Sequence, residues 1–257
     1  VIDLSALLTD LEAEGAELDA LVTALPPDEW RRPTPAPGWT VAHQIAHLAW
    51  TDEQALLAAT HPDRFTAAVA AITDPGGFVD RGADEGARLA PDALLSRWRT
   101  LRTSLADALA WADGKLPWYG PPMNPASMAT ARIMETWAHA GDVADALGVV
   151  RVPTARLRHV AHLGVRTRDF AYLIRELPVP AREFRIELRA PGGELWTWGP
   201  VDAGQRVTGD ALDFCRLVTQ RVHRDDTALI AVGAEAADWL RIAQAFAGPP
   251  GVGRARS

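Results

Sequence analysis

The stretch ELPVPAREFRIELRAPGGELWTW, residues 176–198, is where the chain changes period. Before it, apolar residues recur every three or four positions. After Pro178-Val179-Pro180, Phe184, Ile186 and Leu188 alternate with Glu183, Arg185, Glu187 and Arg189, the pattern of a half-buried strand. Pro191-Gly192-Gly193 reads as a turn and Glu194 to Trp198 as the hairpin partner. Gln205 to Thr208 is a third candidate strand, Gly209-Asp210 opens a helix to about Val222, and Ala234 to Phe246 forms another. The fold class is therefore α+β: residues 179–250 are expected to form a small α+β domain, followed by a flexible tail over 251–257.

Upstream the helical period dominates. Leu4, Leu7, Leu8, Leu11, Leu18, Leu21, Val22 and Leu25 line one face of a long helix that Pro26 and Pro27 end. Thr40 can cap a second helix running to about Ala59, with Val41, Ile45, Leu48 and Ala49 turned inward. Shorter helical signal covers Pro62 to Ile72. A loop at Asp74-Pro75-Gly76-Gly77 and a polar stretch lead to Ala90, and a helix from Pro91 reaches about Trp111. Pro117 to Pro125 is an aromatic loop. Helices over Ala126 to Leu147, stopped at Gly148, and over Thr154 to Arg175 complete an up-down bundle spanning residues 1–178.

The 48% hydrophobic and 23% charged fractions are those of a chain that folds on its own. No run approaches the roughly 18 to 20 apolar residues needed to cross a bilayer, and the acidic first thirty residues do not resemble a secretion signal, so the expected location is cytoplasmic with no membrane partner. A formal charge of −7 argues against nucleic acid as a partner. The charge is uneven: residues 151–189 hold nine Arg against four acidic residues, read as a solvated helix face and strand edge. The single cysteine, Cys215, excludes a disulfide framework or cysteine-rich zinc ribbon, and its place between Phe214 and Arg216-Leu217 on an apolar face marks it as a core residue.

Any metal must then be held by His and carboxylates. Glu135 and His139 stand four apart on one predicted helix, so their side chains share a face and can either chelate one ion or simply bond to each other. Asp142, another turn on, could orient His139 through its second ring nitrogen. The second helix offers His43 and His47, but the residues between them are Gln44, Ile45 and Ala46, without the glutamate of a zincin protease. His47 lies in the apolar run from Ile45 to Trp50, where an imidazole needs a partner; His43 is more peripheral. His159 and His162 read as structural or exposed. Trp118 and Trp137 flank the metal segment and are candidates to line a pocket.

Two stretches together resemble a known family. Thr34-Pro-Ala-Pro-Gly-Trp-Thr-Val-Ala-His-Gln-Ile-Ala-His-Leu48 and Glu135-Thr-Trp-Ala-His-Ala-Gly-Asp142, followed by Ala146-Leu-Gly148, are similar to the mycothiol-dependent maleylpyruvate isomerase family within the DinB-like helical superfamily. The resemblance implies a DinB-like bundle with His47, Glu135 and His139 as ligands of a divalent metal, expected to be zinc, with coordination positions left open. It further implies mycothiol as co-substrate, a small electrophile as substrate, and Arg221 at the polar end of the thiol. The aromatic loop Trp118-Tyr119-Gly120-Pro121-Pro122-Met123 departs from the isomerase pattern, which puts maleylpyruvate in doubt as substrate. Three functions stay open at this point: an enzyme activating a low-molecular-weight thiol for isomerisation or transfer, a metal enzyme activating water, and a non-catalytic metal or small-molecule binding module.

Overall fold

The structure is a computed structural model that describes residues 3–74, 77–251 and 253–256. Pro75 and Gly76 of the expected loop, and Val252 and Ser257 of the tail, lie outside the described residues. No described helix is long and apolar enough to cross a membrane.

The chain divides into two compact units, residues 1–151 and 152–257. In the first unit α1 (Leu4–Val22), α2 (Val41–Thr60), α3 (Pro62–Ala70), α4 (Phe78–Ala87), α5 (Pro91–Trp111) and α6 (Pro125–Leu147) follow one another. The four long ones, α1, α2, α5 and α6, make the bundle, with α2 packed against both α5 and α6. Local chemistry sets their ends. Asp3 accepts from the backbone N–H groups of Ser5 and Ala6 at the start of α1. Thr40 and His43 form a reciprocal capping box at α2, with histidine in the place usually taken by glutamate. Asn124 caps α6 through the N–H of Ser127, Pro125 occupies its first turn, and Gly148 closes it at φ 67°.

The polar stretch before Ala90 proves to be helical. In α4, Ala83 and Gly86 are the buried positions, and a Cβ on Gly86 would stand 2.8 Å from that of Ala46. A face made of Gly and Ala carries little apolar signal, but it allows close approach to α2.

The bundle core has two apolar layers. One gathers Leu18, Val22, Trp30, Ile45, Leu48, Leu94, Trp98 and Val143; the other gathers Leu7, Ala55, Leu105, Leu109, Met128 and Ile133. Between them α2 and α6 bury polar groups. Arg132 Nε donates to Asp52 Oδ1 at 2.8 Å, and the two side chains are 2% and 6% exposed. Burial pushes the Asp52 carboxyl up from its ordinary value against the opposing pull of Arg132.

In the second unit α7 (Leu157–Arg166) and α8 (Arg168–Leu173) precede β1 (Phe184–Arg189), β2 (Leu195–Trp198), β3 (Gln205–Asp210), α9 (Ala211–Val218), β4 (Ile230–Val232) and α10 (Ala234–Ile242). The sheet order is β2-β1-β3-β4. The expected β1–β2 hairpin is present, with Ile186 opposite Trp198 and Leu188 opposite Trp196, and Gly193 supplies the positive φ of 91° in its turn. β3 lies parallel to β1 and antiparallel to β4, a strand of three residues that the sequence pattern had not marked.

The expected domain boundary after residue 178 falls 27 residues too late, because α7 belongs with α9. Gly164 makes that packing possible: a Cβ there would meet Val218 Cγ2 at 2.8 Å. Cys215, fully buried, donates its thiol to the carbonyl of Leu157 across the same contact, and burial raises its pKa, so it is the core residue expected. The single helix expected over Thr154 to Arg175 is broken at Thr167, whose hydroxyl bonds back to the carbonyls of Leu163 and Gly164. The helix expected to reach Val222 stops at Val218, with Gln220 at φ 58°. Much of the arginine run is paired: Arg151 with Glu14 and Glu17, Arg185 with Glu187, Arg189 with Asp210.

The buried ion pair gives a stability test. Arg132→Ala leaves Asp52 uncompensated in the core and should cost about 3–5 kcal/mol in denaturant unfolding. A loss no larger than that of an ordinary surface substitution would show that Asp52 is solvated.

Candidate metal centre

The geometry begins with the two long helices that run antiparallel. His47 and Asp52 on α2 face Glu135 and Arg132 on α6, so the register places one turn of each against the other. His47, Glu135 and His139 offer ligand atoms that all lie within 4.8 Å of one another. Glu135 Oε2 stands 3.4 Å from His47 Nε2 and 3.2 Å from His139 Nε2. For an ion bound tetrahedrally at about 2.0–2.1 Å, neighbouring donors sit roughly 3.3–3.4 Å apart, so the two distances from Glu135 match edges of such a shell, and the two imidazole donors lie within 4.8 Å of each other. The donor set, two imidazoles and one carboxylate, fits zinc and leaves coordination positions unfilled by protein.

Charge favours the same reading. Burial alone would raise the Glu135 pKa, but hydrogen bonds from His139 and His47 together with their charge hold its carboxyl well below the ordinary value. An anion is thereby kept between the two buried imidazoles.

The imidazoles differ in their support. His139 Nδ1 bonds to Gln44 Oε1, Gln44 Nε2 donates to Thr34 Oγ1 at 2.8 Å, and the Thr34 hydroxyl donates to the carbonyl of Trp39 at 3.0 Å. With the amide oxygen as its partner, Nδ1 carries a proton; Nε2 carries one as well where it donates to Glu135, and a bound metal would take the place of that second proton. Gln44 thus orients His139 from α2, while Asp142, expected to do so, is fully buried on α6. His47 lacks a brace of this kind: its Nδ1 is buried with no hydrogen-bond partner among the described residues.

Trp39 covers both rings. Its centroid lies 5.2 Å from that of His47 and 5.9 Å from that of His139, and it stacks on the latter at 20°. The indole N–H donates to Asp80 on α4 at 3.3 Å. His43 is peripheral, as expected: Nδ1 caps α2 and Nε2 pairs with Asp84.

Of the two tryptophans expected near the metal, Trp118 stacks on Phe65 at 5.6 Å and touches Tyr119. Trp137 lies two residues after Glu135, hence on roughly the opposite side of α6 by the 3.6-residue period, and its carbonyl accepts from Arg151. Arg221 belongs to the second unit, where its guanidinium donates to the carbonyl of Thr219 at 2.6 Å. His162, in the same unit, is a structural partner of Trp198. Gln44, Trp39 and Trp50 were missed as site residues, although Gln44 and Trp50 each lie three residues from His47 and so share its side of the helix.

The relay makes a direct test possible. Gln44→Leu should weaken zinc affinity about 10- to 100-fold in chelator competition while leaving helical content intact. Unchanged affinity would mean that His139 needs no orienting partner.

Comparison with known proteins follows the geometry. The family model described as mycothiol maleylpyruvate isomerase N-terminal domain matches residues 11–144, which include all three candidate ligands. A model described as wyosine base formation matches residues 180–232. Two uncharacterized proteins of Mycobacterium tuberculosis, one from each of two strains, are 58% identical over 255 residues, covering 98% of this chain and 99% of their own. The crystal structure of the mycothiol-dependent maleylpyruvate isomerase aligns with a TM-score of 0.62 at 17% identity, over 90% of this chain and 93% of its own. A single-residue variant of that isomerase aligns at 0.61. At that identity the structural likeness establishes the fold, DinB-like bundle and small α+β region alike, while the match over residues 11–144 makes the chain a member of the mycothiol maleylpyruvate isomerase N-terminal domain family.

Proposed function

We propose that this protein is an enzyme that holds a divalent metal, zinc, on His47, Glu135 and His139 and uses it to activate a low-molecular-weight thiol, mycothiol, for isomerisation of a small electrophile or transfer to it. The observation that carries the reading is the convergence of three donors within 4.8 Å of one another, with no fourth protein ligand among the described residues. A site meant only to hold the fold is normally closed by a fourth side chain. Membership of a family named for a mycothiol-dependent isomerase supports the thiol as the exchangeable ligand.

When bound, the metal would supply a lowered thiol pKa, making the thiolate available near neutral pH. The chain's own residues do the rest. Glu135 brings one negative charge, so the site keeps a net positive charge that favours an anionic sulfur. The Gln44 amide keeps His139 in the tautomer whose Nε2 is a donor atom. Trp39 and the apolar layers of the bundle exclude bulk water, which strengthens each of these electrostatic effects.

Single replacements of His47, Glu135 or His139 by alanine should each abolish stoichiometric zinc and mycothiol binding, whereas His43→Ala should keep both. Elemental analysis and calorimetric titration of mycothiol into the zinc-loaded protein check this. Retained zinc in all three triad variants would remove the site, and a zinc-loaded wild type that does not bind mycothiol would remove the thiol.

A further inference from the structure

A belt of aromatic rings starts at the candidate ligand His47 and leads away from it. Trp50, one turn further along α2, lies 6.4 Å from His47 between ring centroids. It meets Phe78 edge-on at 4.7 Å and lies nearly parallel to Tyr119, 17° apart at 6.4 Å; Phe78 and Tyr119 are 5.3 Å apart. These three rings are only partly buried, whereas Phe65 and Trp98, which serve packing, are 1% exposed each. They are also fixed. A Cβ on Gly82 would stand 2.8 Å from the Trp50 ring, so α4 lies flush against it. Tyr119 donates its hydroxyl to Gln54 Oε1, and its loop is closed by paired backbone bonds between Leu116 and Met123.

The carboxylates beside this wall lie on α4: Asp80 accepts from Trp39 and Asp84 pairs with His43. Arg81, on the same turns of α4, is tied to Asp74, Arg97 to Glu53 on α2, and the buried Arg132 to Asp52. A dicarboxylate entering here would lose its water and have to share a guanidinium already held by a carboxylate of the chain. A flat uncharged molecule has ring faces and edges to rest on.

We propose that the electrophile taken by this centre is an uncharged molecule with a planar apolar body, held against Trp50, Phe78 and Tyr119 beside the metal. This rests on the thiol-activation reading above, and the experiment separates the two. The zinc-loaded full chain is titrated calorimetrically with N-phenylsuccinimide and with succinate, unreactive counterparts of a neutral aromatic and a dianionic electrophile. N-phenylsuccinimide should bind at least tenfold more tightly. Trp50→Ala and Tyr119→Leu should each weaken it at least fivefold without changing zinc content. Equal binding, a preference for succinate, or no effect of either variant would overturn the assignment, and the wild-type comparison decides the ligand class even if a variant fails to fold.

A second arm uses N-phenylmaleimide with mycothiol. The thiolate sulfur bonds to one alkene carbon, the π pair moves to its neighbour, and a proton from water completes the adduct. Rate enhancement over the uncatalysed addition supports both readings together. The binding preference without enhancement would keep the wall and remove thiol activation, and with it the assignment of this ligand as the enzyme's electrophile.

Discussion

A carboxylate held between two buried imidazoles is the constraint around which the bundle is organised. Glu135 stands partly shielded from water as an anion, and its partners come from two helices: His139 from its own and His47 from α2. That pairing sets the register of the antiparallel pair, and the register in turn brings Asp52 against Arg132 a turn away. The two apolar layers on either side carry the hydrophobic stabilisation. The polar slice between them contributes specificity at some cost in stability, since charges drawn from water are rarely repaid in full by their partners. A protein tolerates such a slice when the slice has work to do.

Much of this was legible in the sequence, and for identifiable reasons. Leu, Val and Trp at helical spacing announced the long helices, and Phe184, Ile186 and Leu188 announced the sheet. The spacing of Glu135 and His139 and the apolar setting of His47 made each a candidate, the family resemblance joined the three, and the structure brings their ligand atoms within 4.8 Å of one another. What escaped were features without an apolar or periodic signal. α4 packs through Gly and Ala, and β4 spans three residues. The unit boundary depends on Gly164 admitting Val218, a matter of shape that no pattern records. Asp142 was a reasonable partner for His139 by spacing along one helix. Gln44, which bonds to His139 Nδ1, comes from the other helix and could be found only once the register was known.

The family and the local chemistry answer different questions. Shared fold and donor set speak to what is activated, whereas the rings and carboxylates around the centre speak to what is admitted. Trp50, Phe78 and Tyr119 come from a helix, the start of another helix and a proline-rich loop.

The Thr34–Gln44–His139 relay has a direction, and the direction originates outside the core. The loop that folds back so that the Thr34 N–H and hydroxyl both reach the carbonyl of Trp39 commits that hydroxyl as a donor, leaving only its lone pairs for the Gln44 amide. The amide then has one orientation, and the imidazole beyond it keeps a proton on Nδ1. A threonine near the surface thereby determines which nitrogen of a buried histidine is left for a metal. The same loop carries Trp39 over both rings, so the segment that roofs the centre also sets its polarity, and the two properties must be inherited as one unit.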